Sequence, residues 1–275
     1  MKTLLALAAA TALAALAAAA ARADGAPSSP GLLQGGEGVQ SPSGVRYVTT
    51  TVGADASAVL AVRGRSLLRA RMLPGLYGIP LVAYDGTAGG LSGDGRRLTV
   101  ASDGPPPGAA GSTRFLVLDA ETLIPRSRVE LSGSWSYDAS SPDGKTLFLV
   151  EHLSVGANPR YRVRVFDLRS GRLRPGAVVD RIEREAVMGG QPVTRAASGD
   201  GRWAYTLYAR EGDSPFVHAL DTARAEAYCI DLPLRLARDA QWRLRLALAG
   251  ATLAVRDGRR TRALIDLRTF AVRKG

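Results

Sequence analysis

The sequence predicts an all-β protein assembled from repeated, four-stranded antiparallel units, and three observations carry that prediction. A turn followed by a short apolar strand recurs as SGDGRRLTVAS at 92–102, SPDGKTLFLVE at 141–151 and SGDGRWAYTLY at 198–208. About two dozen residues after each copy starts comes a second strand that ends in Asp and a turn: FLVLDAETL at 115–123, VRVFDLRSGRL at 163–173 and FVHALDTARAE at 216–226. Beyond residue 23 there is no long run with helical periodicity. The Asp-Gly pair supplies the positive backbone angles of a tight hairpin, and the residues after it are β-branched or aromatic.

Taken in order, the first element is not part of the repeat. Lys2 gives a positive start, Leu4 to Ala21 is an Ala/Leu-rich stretch broken only by Thr11, and Ala21-Arg22-Ala23 offers a small-x-small site before Asp24. This is the pattern of a cleaved secretory signal peptide over residues 1–23, so the mature protein is expected to be secreted or extracytoplasmic. Only an uncleaved segment would tie it to a membrane. Residues 24–45 are rich in Gly, Pro and Ser and read as a flexible linker.

Residues 46–275 carry the periodic pattern. Before each turn lies one more short strand: VRYVTTT, PLVAYDG, SWSYDAS, PVTRAAS and AQWRLRL. The strands RSRVEL, AVVD, EAYCIDL and FAVRKG close units two to five. Weaker copies of the hairpin are GADASAVLAVR at 53–63 and LAGATLAVRD at 248–257, both without Asp-Gly. Four strands per unit and about five units are the signature of a β-propeller, whose blades stack around a central channel. A β-sandwich has a similar strand count but no reason to repeat its motifs.

SPDGKTLFLV and VRVFDLRSGRL together resemble the two halves of the repeat in bacterial secreted WD40-like propellers of the YVTN and TolB type. The resemblance covers about residues 46–275. It implies the fold and leaves the partner open, because such propellers bind very different molecules.

Composition narrows the function classes. With 46% hydrophobic and 22% charged residues the chain is globular, not disordered. Cys229 is the only cysteine, which rules out an intrachain disulfide, and its place in AEAYCIDL reads as a small core residue. The net charge is +11, and removal of residues 1–23 with Lys2 and Arg22 leaves +9. No basic run of five residues marks a nucleic-acid site.

In such a blade the two hairpin turns fall on one face and are short. The two-to-three loops and the crossovers fall on the other, and these are irregular: SDGPPPGAAGST, LSVGANPR, AREGDSP, MLPGLYG, RIEREAVMGGQP and LPLRLARDAQ. A binding site is expected on that face. Counting five residues back from each turn gives Thr50, Gly89, Asp138, Arg195 and Arg245 on the inner strands. A second alignment, of Tyr84-Asp85-Gly86-Thr87 with Tyr137-Asp138-Ala139-Ser140, makes Asp85 the counterpart of Asp138. Asp85, Asp138, Arg195 and Arg245 are therefore the candidates to face a ligand in the channel. An Asp opposite an Arg of the next blade also fits an inter-blade ion pair. Glu151 and His152 are secondary candidates, because sister units carry Ala101-Ser102 and Leu207-Tyr208 there. Trp135, Trp203 and Trp242 read as blade-to-blade core rather than sugar-stacking platforms.

Catalytic signatures are sparse. His152 and His218 lie in different units without partners for a zinc site, and there is no P-loop, dinucleotide fingerprint or nucleophile elbow. The pattern calls for no metal or cofactor and assigns no catalytic residue. The reading is an exported, monomeric, non-catalytic scaffold that binds a protein or cell-envelope ligand, and no nucleic acid. Two alternatives stand beside it: a hydrolase or lyase using Asp85, Asp138 or Glu151, and an envelope protein held by its positive charge.

Overall fold

The computed structural model describes residues 29–275, so the signal-peptide reading for 1–23 and the first residues of the linker lie outside the described residues. The protein is a β-propeller of five antiparallel blades. Blade one consists of Val39–Gln40, Arg46–Val52, Ala56–Arg63 and Ser66–Pro74. Blade two has Arg97–Ala101, Ser112–Asp119 and Pro125–Ser132. Its inner position is filled by irregular chain that joins the neighbouring strand only through single bridges, Gly78 to Ala101 and Leu91 to Leu98. Blade three runs Trp135–Ser140, Thr146–His152, Arg160–Asp167 and the short Arg172–Leu173. Blade four runs Gln191–Ala197, Trp203–Ala209, Phe216–Asp221 and Glu226–Asp231. Blade five runs Leu244–Ala249, Thr252–Asp257, Arg260–Asp266 and Val272–Lys274.

The repeated motif explains the hairpins atom by atom. In SGDG at 92–95 the Gly95 N–H donates to the Ser92 carbonyl (2.8 Å), and Gly95 takes φ +68°. The Ser92 hydroxyl donates to Asp94 (2.6 Å) and accepts from Arg97 N–H (3.0 Å), so one side chain closes the turn from both sides. Ser141 with Asp143 and Ser198 with Asp200 repeat this geometry. Asp119, Asp167, Asp221 and Asp266 cap the turns between strands three and four by accepting backbone N–H bonds, as turn formers should.

Three expectations are corrected. The hairpin of blade one is SPSG at 41–44, not GADA at 53–56. Ser43 replaces the usual Asp: its hydroxyl lies 2.9 Å from that of Ser41, and Gly44 N–H donates to the Ser41 carbonyl. The strands of blade one therefore start one strand earlier than the sequence pattern placed them. Part of the stretch read as a linker is built into the fold, with Leu32–Leu33 paired to Ile79–Pro80 and Val39–Gln40 to Arg46–Tyr47. In blade three, AVVD at 177–180 is not the closing strand. Arg172–Leu173 closes the blade, and Asp180 instead bridges in parallel to Ala227 of blade four.

Alternation along each strand sends odd and even side chains to opposite neighbours. In blade four, Tyr205 and Leu207 pack toward blade five, while Ala204 and Tyr208 pack toward blade three. Buried apolar clusters join blades one and two, two and three, three and four, and four and five. Trp135 lies in the second of these, and Trp203 and Trp242 flank the last, which agrees with their reading as inter-blade core.

Candidate functional site

The inner strands bring two of the four channel candidates together. Arg195 of blade four donates from both terminal nitrogens to Asp138 of blade three, one to its carboxylate and one to its backbone carbonyl. A third donor, Nε, reaches Thr206 Oγ1 at 2.9 Å. The two side chains are 3% and 7% exposed, so this is a desolvated ion pair that locks one blade to the next. Asp138 Oδ2 is buried and takes no hydrogen bond within the protein. It borders a cavity of about 20 Å³ shared with Ser136, His152, Tyr161 and Tyr208. That is room for about one water molecule.

The other two candidates stand apart from this pair. Asp85 closes its own turn, with Oδ1 accepting from Thr87 N–H (3.0 Å) and the Thr87 hydroxyl (2.6 Å). The loop does reach across the molecule: Tyr84 and Asp85 N–H donate to the Pro192 and Val193 carbonyls of blade four, and the Tyr84 ring lies 5.3 Å from that of Trp242. Arg245 is exposed and donates to the carbonyls of Trp242 and Leu244 beside it.

The secondary candidates are also engaged. Glu151 accepts a bidentate pair of bonds from Arg162 (2.6 and 2.9 Å) and a third from Arg164 (3.1 Å). Hydrogen bonding to Arg162 leads the effects that hold its carboxyl below the usual glutamate range. His152 is buried, with Nε2 2.8 Å from the Ser136 hydroxyl, and desolvation pushes it down to about 4. It is neutral at pH 7.

Among the openings lined by the described residues, two lie at the channel mouth and beside the irregular loops. On the hairpin face, a cavity of about 270 Å³ lies at the channel mouth, with Gly89, Tyr137, Asp138, Arg195 and Trp203 among its walls. On the opposite face, three of the irregular loops converge between blades three and four around a cleft of about 320 Å³. Asn158 of LSVGANPR ties down AREGDSP by exchanging two bonds with the backbone of Glu211 (3.1 and 2.8 Å). The third loop, RIEREAVMGGQP, follows Asp180, whose carboxylate accepts N–H bonds from Ile182, Glu183 and Cys229.

Six carboxylates, Asp180, Glu183, Glu185, Glu211, Asp213 and Asp231, line this cleft against two guanidiniums, Arg160 and Arg210. Arg210 is occupied by Asp231 (2.6 Å) and Asp213 (3.5 Å). Burial, and then the nearby charges of Asp231, Asp180 and Glu185, raise the Glu183 carboxyl above its usual range. Sequence reasoning singled out the loops but none of these residues. The signal available was the pair of acids in RIERE, which only folding brings against AREGDSP.

No protein-family model and no curated protein matches the sequence. Among solved structures, similarity is found to TolB from Acinetobacter baumannii, at 16% identity and TM-score 0.38 over 80% of this chain and 48% of that one. The β-propeller domain of Myceliophteria thermophila Cps50 (Swd1) matches at 10% identity and TM-score 0.46, over 85% and 67% of the two chains. BamB from Moraxella catarrhalis matches at 14% and 0.42, over 83% and 66%. This chain thus spans about half the length of that TolB chain. At these levels the fold assignment rests on the sheets themselves.

Proposed function

We propose that the protein is an exported, non-catalytic propeller that holds a cationic ligand or protein segment in the cleft between blades three and four. The observation that supports this reading is the convergence of three irregular loops on one open, carboxylate-rich cleft in a chain whose net charge is strongly positive. A concave site lined by one sign of charge concentrates ligands of the other sign. The hydrolase reading of Asp85, Asp138 and Glu151 needs two of these carboxylates facing an open space. Here Asp138 is clamped by Arg195, Glu151 by Arg162 and Arg164, and Asp85 by its own turn. Export rests on the pattern in residues 1–23.

A fluorescent oligolysine peptide is the probe. Anisotropy titration should show saturable binding, weakened roughly fivefold to tenfold by Glu183→Gln with Glu185→Gln, since partly exposed charges contribute about 1 kcal/mol each or less. Equal binding by both proteins would remove the cleft from the proposal. Turnover of glycosides, lactones or esters that Asp138→Asn abolishes would overturn the non-catalytic part.

A further inference from the structure

Among the described residues, the outer edge of blade one combines several exposed apolar side chains with four unpaired arginines. Leu67 is 60% exposed, Met72 55% and Leu68 47%, all on the strand Ser66–Pro74, and Leu76 follows at 46%. Every residue of that strand except Leu73 is exposed. Arg63 and Arg65 sit in the hairpin before it, and Arg69 and Arg71 lie within it. Among the described residues, none of these four guanidiniums makes an ion pair or a side-chain hydrogen bond. No acidic residue occurs between Asp55 and Asp85, and the acids that share a cleft with Arg63 and Arg69 are Asp119 and Glu121 of blade two.

The strand pairing sets out the surface. Met72 pairs with Ala58, Ala70 with Leu60 and Leu67 with Val62, so these residues share the face of blade one that turns away from blade two. The opposite face, with Tyr47, Val59 and Leu73, belongs to the cluster shared with blade two, and Arg69 and Arg71, paired with Ala61 and Val59, stand on that side of the edge strand. Among the described residues, no apolar cluster joins blade one to blade five. An apolar strip of this kind marks a place that another phase or molecule covers.

We infer that this edge docks on an anionic lipid surface. Leucine and methionine side chains enter the interface from one face of the edge strand, and the long arginine stems on the other face let the guanidiniums reach headgroup level. Four unpaired cations on one short edge select for negative charge. A second copy of the chain, stacked edge to edge, would bring the same cations against one another without neutralising them. Blade five supplies the internal contrast. Arg256, Arg259, Arg260 and Arg273 make it cationic, yet it carries no exposed large apolar side chain.

The test is co-sedimentation of the full chain with vesicles of phosphatidylglycerol mixed with phosphatidylcholine, and with phosphatidylcholine alone, at physiological ionic strength. Arg69→Gln with Arg71→Gln should weaken binding to the anionic vesicles by about 25-fold, at about fivefold per arginine. Leu67→Ser with Met72→Ser should weaken it at least about tenfold. Arg259→Gln with Arg260→Gln removes the same charge from blade five and should change it less than about twofold, since long-range charge is screened. A tryptophan placed by Leu68→Trp should shift its emission to the blue on the anionic vesicles. Equal losses for the blade-one and blade-five charge variants, or a Leu68→Trp emission that vesicles leave unmoved, would overturn the inference. So would a dimer that Leu67→Ser dissolves in a chain that does not sediment with vesicles. Thermal melts keep these readings apart from misfolding, because the substituted side chains are exposed.

Discussion

Asp138 and Glu151 are both carboxylates held by arginine, yet they do different work. The partner of Asp138 comes from the neighbouring blade, 57 residues along the chain, and the pair is almost fully buried. The partners of Glu151 lie 11 and 13 residues away on the adjoining strand of the same blade, and all three side chains keep some contact with solvent. One pair fixes how two blades meet, and the other tightens a sheet that its backbone ladder already holds. A charge is expensive to bury and cheap to leave at the surface, so the same chemistry should carry very different energies at the two places.

The largest effect tests that contrast directly. Arg195→Ala leaves Asp138 buried without its cation and should destabilise the protein by about 3–5 kcal/mol in urea unfolding. Asp138→Leu combined with Arg195→Met removes both charges and should recover most of that loss, because a buried pair contributes little over well-packed apolar groups. A loss of under about 1 kcal/mol for Arg195→Ala would mean that water reaches Asp138, and the distinction between the two sites would collapse.

His152 gives the next effect and borders the same cavity as Asp138. Burial holds it at about 4, against the ordinary histidine value of 6.5. The unfolded chain therefore binds a proton that the folded chain refuses as pH falls through that window. Stability is full above about pH 6.5 and declines toward pH 4, by about 3 kcal/mol for a shift of this size. His218, also buried, is shifted in the same direction by desolvation and adds to the decline. Comparing unfolding of the native protein with His152→Gln across this range isolates one share. The gap between the two curves should change by a large part of that amount, and a constant gap would show that the ring is hydrated.

How much of this could be read from the sequence follows the same division by distance. The Ser-x-Asp-Gly hairpins and the Asp-capped turns close through partners two to five residues away, and the repeat showed them plainly. The hairpin of blade one was missed because Ser43 does with a hydroxyl what Asp does elsewhere, a substitution that a motif hides and a hydrogen bond reveals. The inner strand register put Asp138 and Arg195 on facing strands but could not say whether a ligand or the other blade would satisfy them. One alignment makes Asp85 the inner-strand counterpart of Asp138, but Asp85 lies in a turn and its carboxylate is taken by Thr87 two positions on. The acidic cleft was illegible at residue level, because Asn158, Glu183 and Glu211 meet only once blades three and four are packed.

The smallest effect belongs to Glu151, and it sets the lower end of the comparison. Its depressed carboxyl means that the folded chain favours the ionised form more than the unfolded chain does. The stabilisation is thus present above the unfolded value near 4.5 and is lost as pH falls through the lower folded value. Glu151→Gln should cost about 1 kcal/mol at pH 7, the upper range for a surface pair, because the bidentate contact to Arg162 is well formed but partly exposed. The native and variant curves should converge as the solution is acidified, and added salt should narrow the gap at neutral pH. A cost matching that of Arg195→Ala, or one indifferent to salt, would place Glu151 among the buried locks and give His152 beside it a charged neighbour in the same desolvated network.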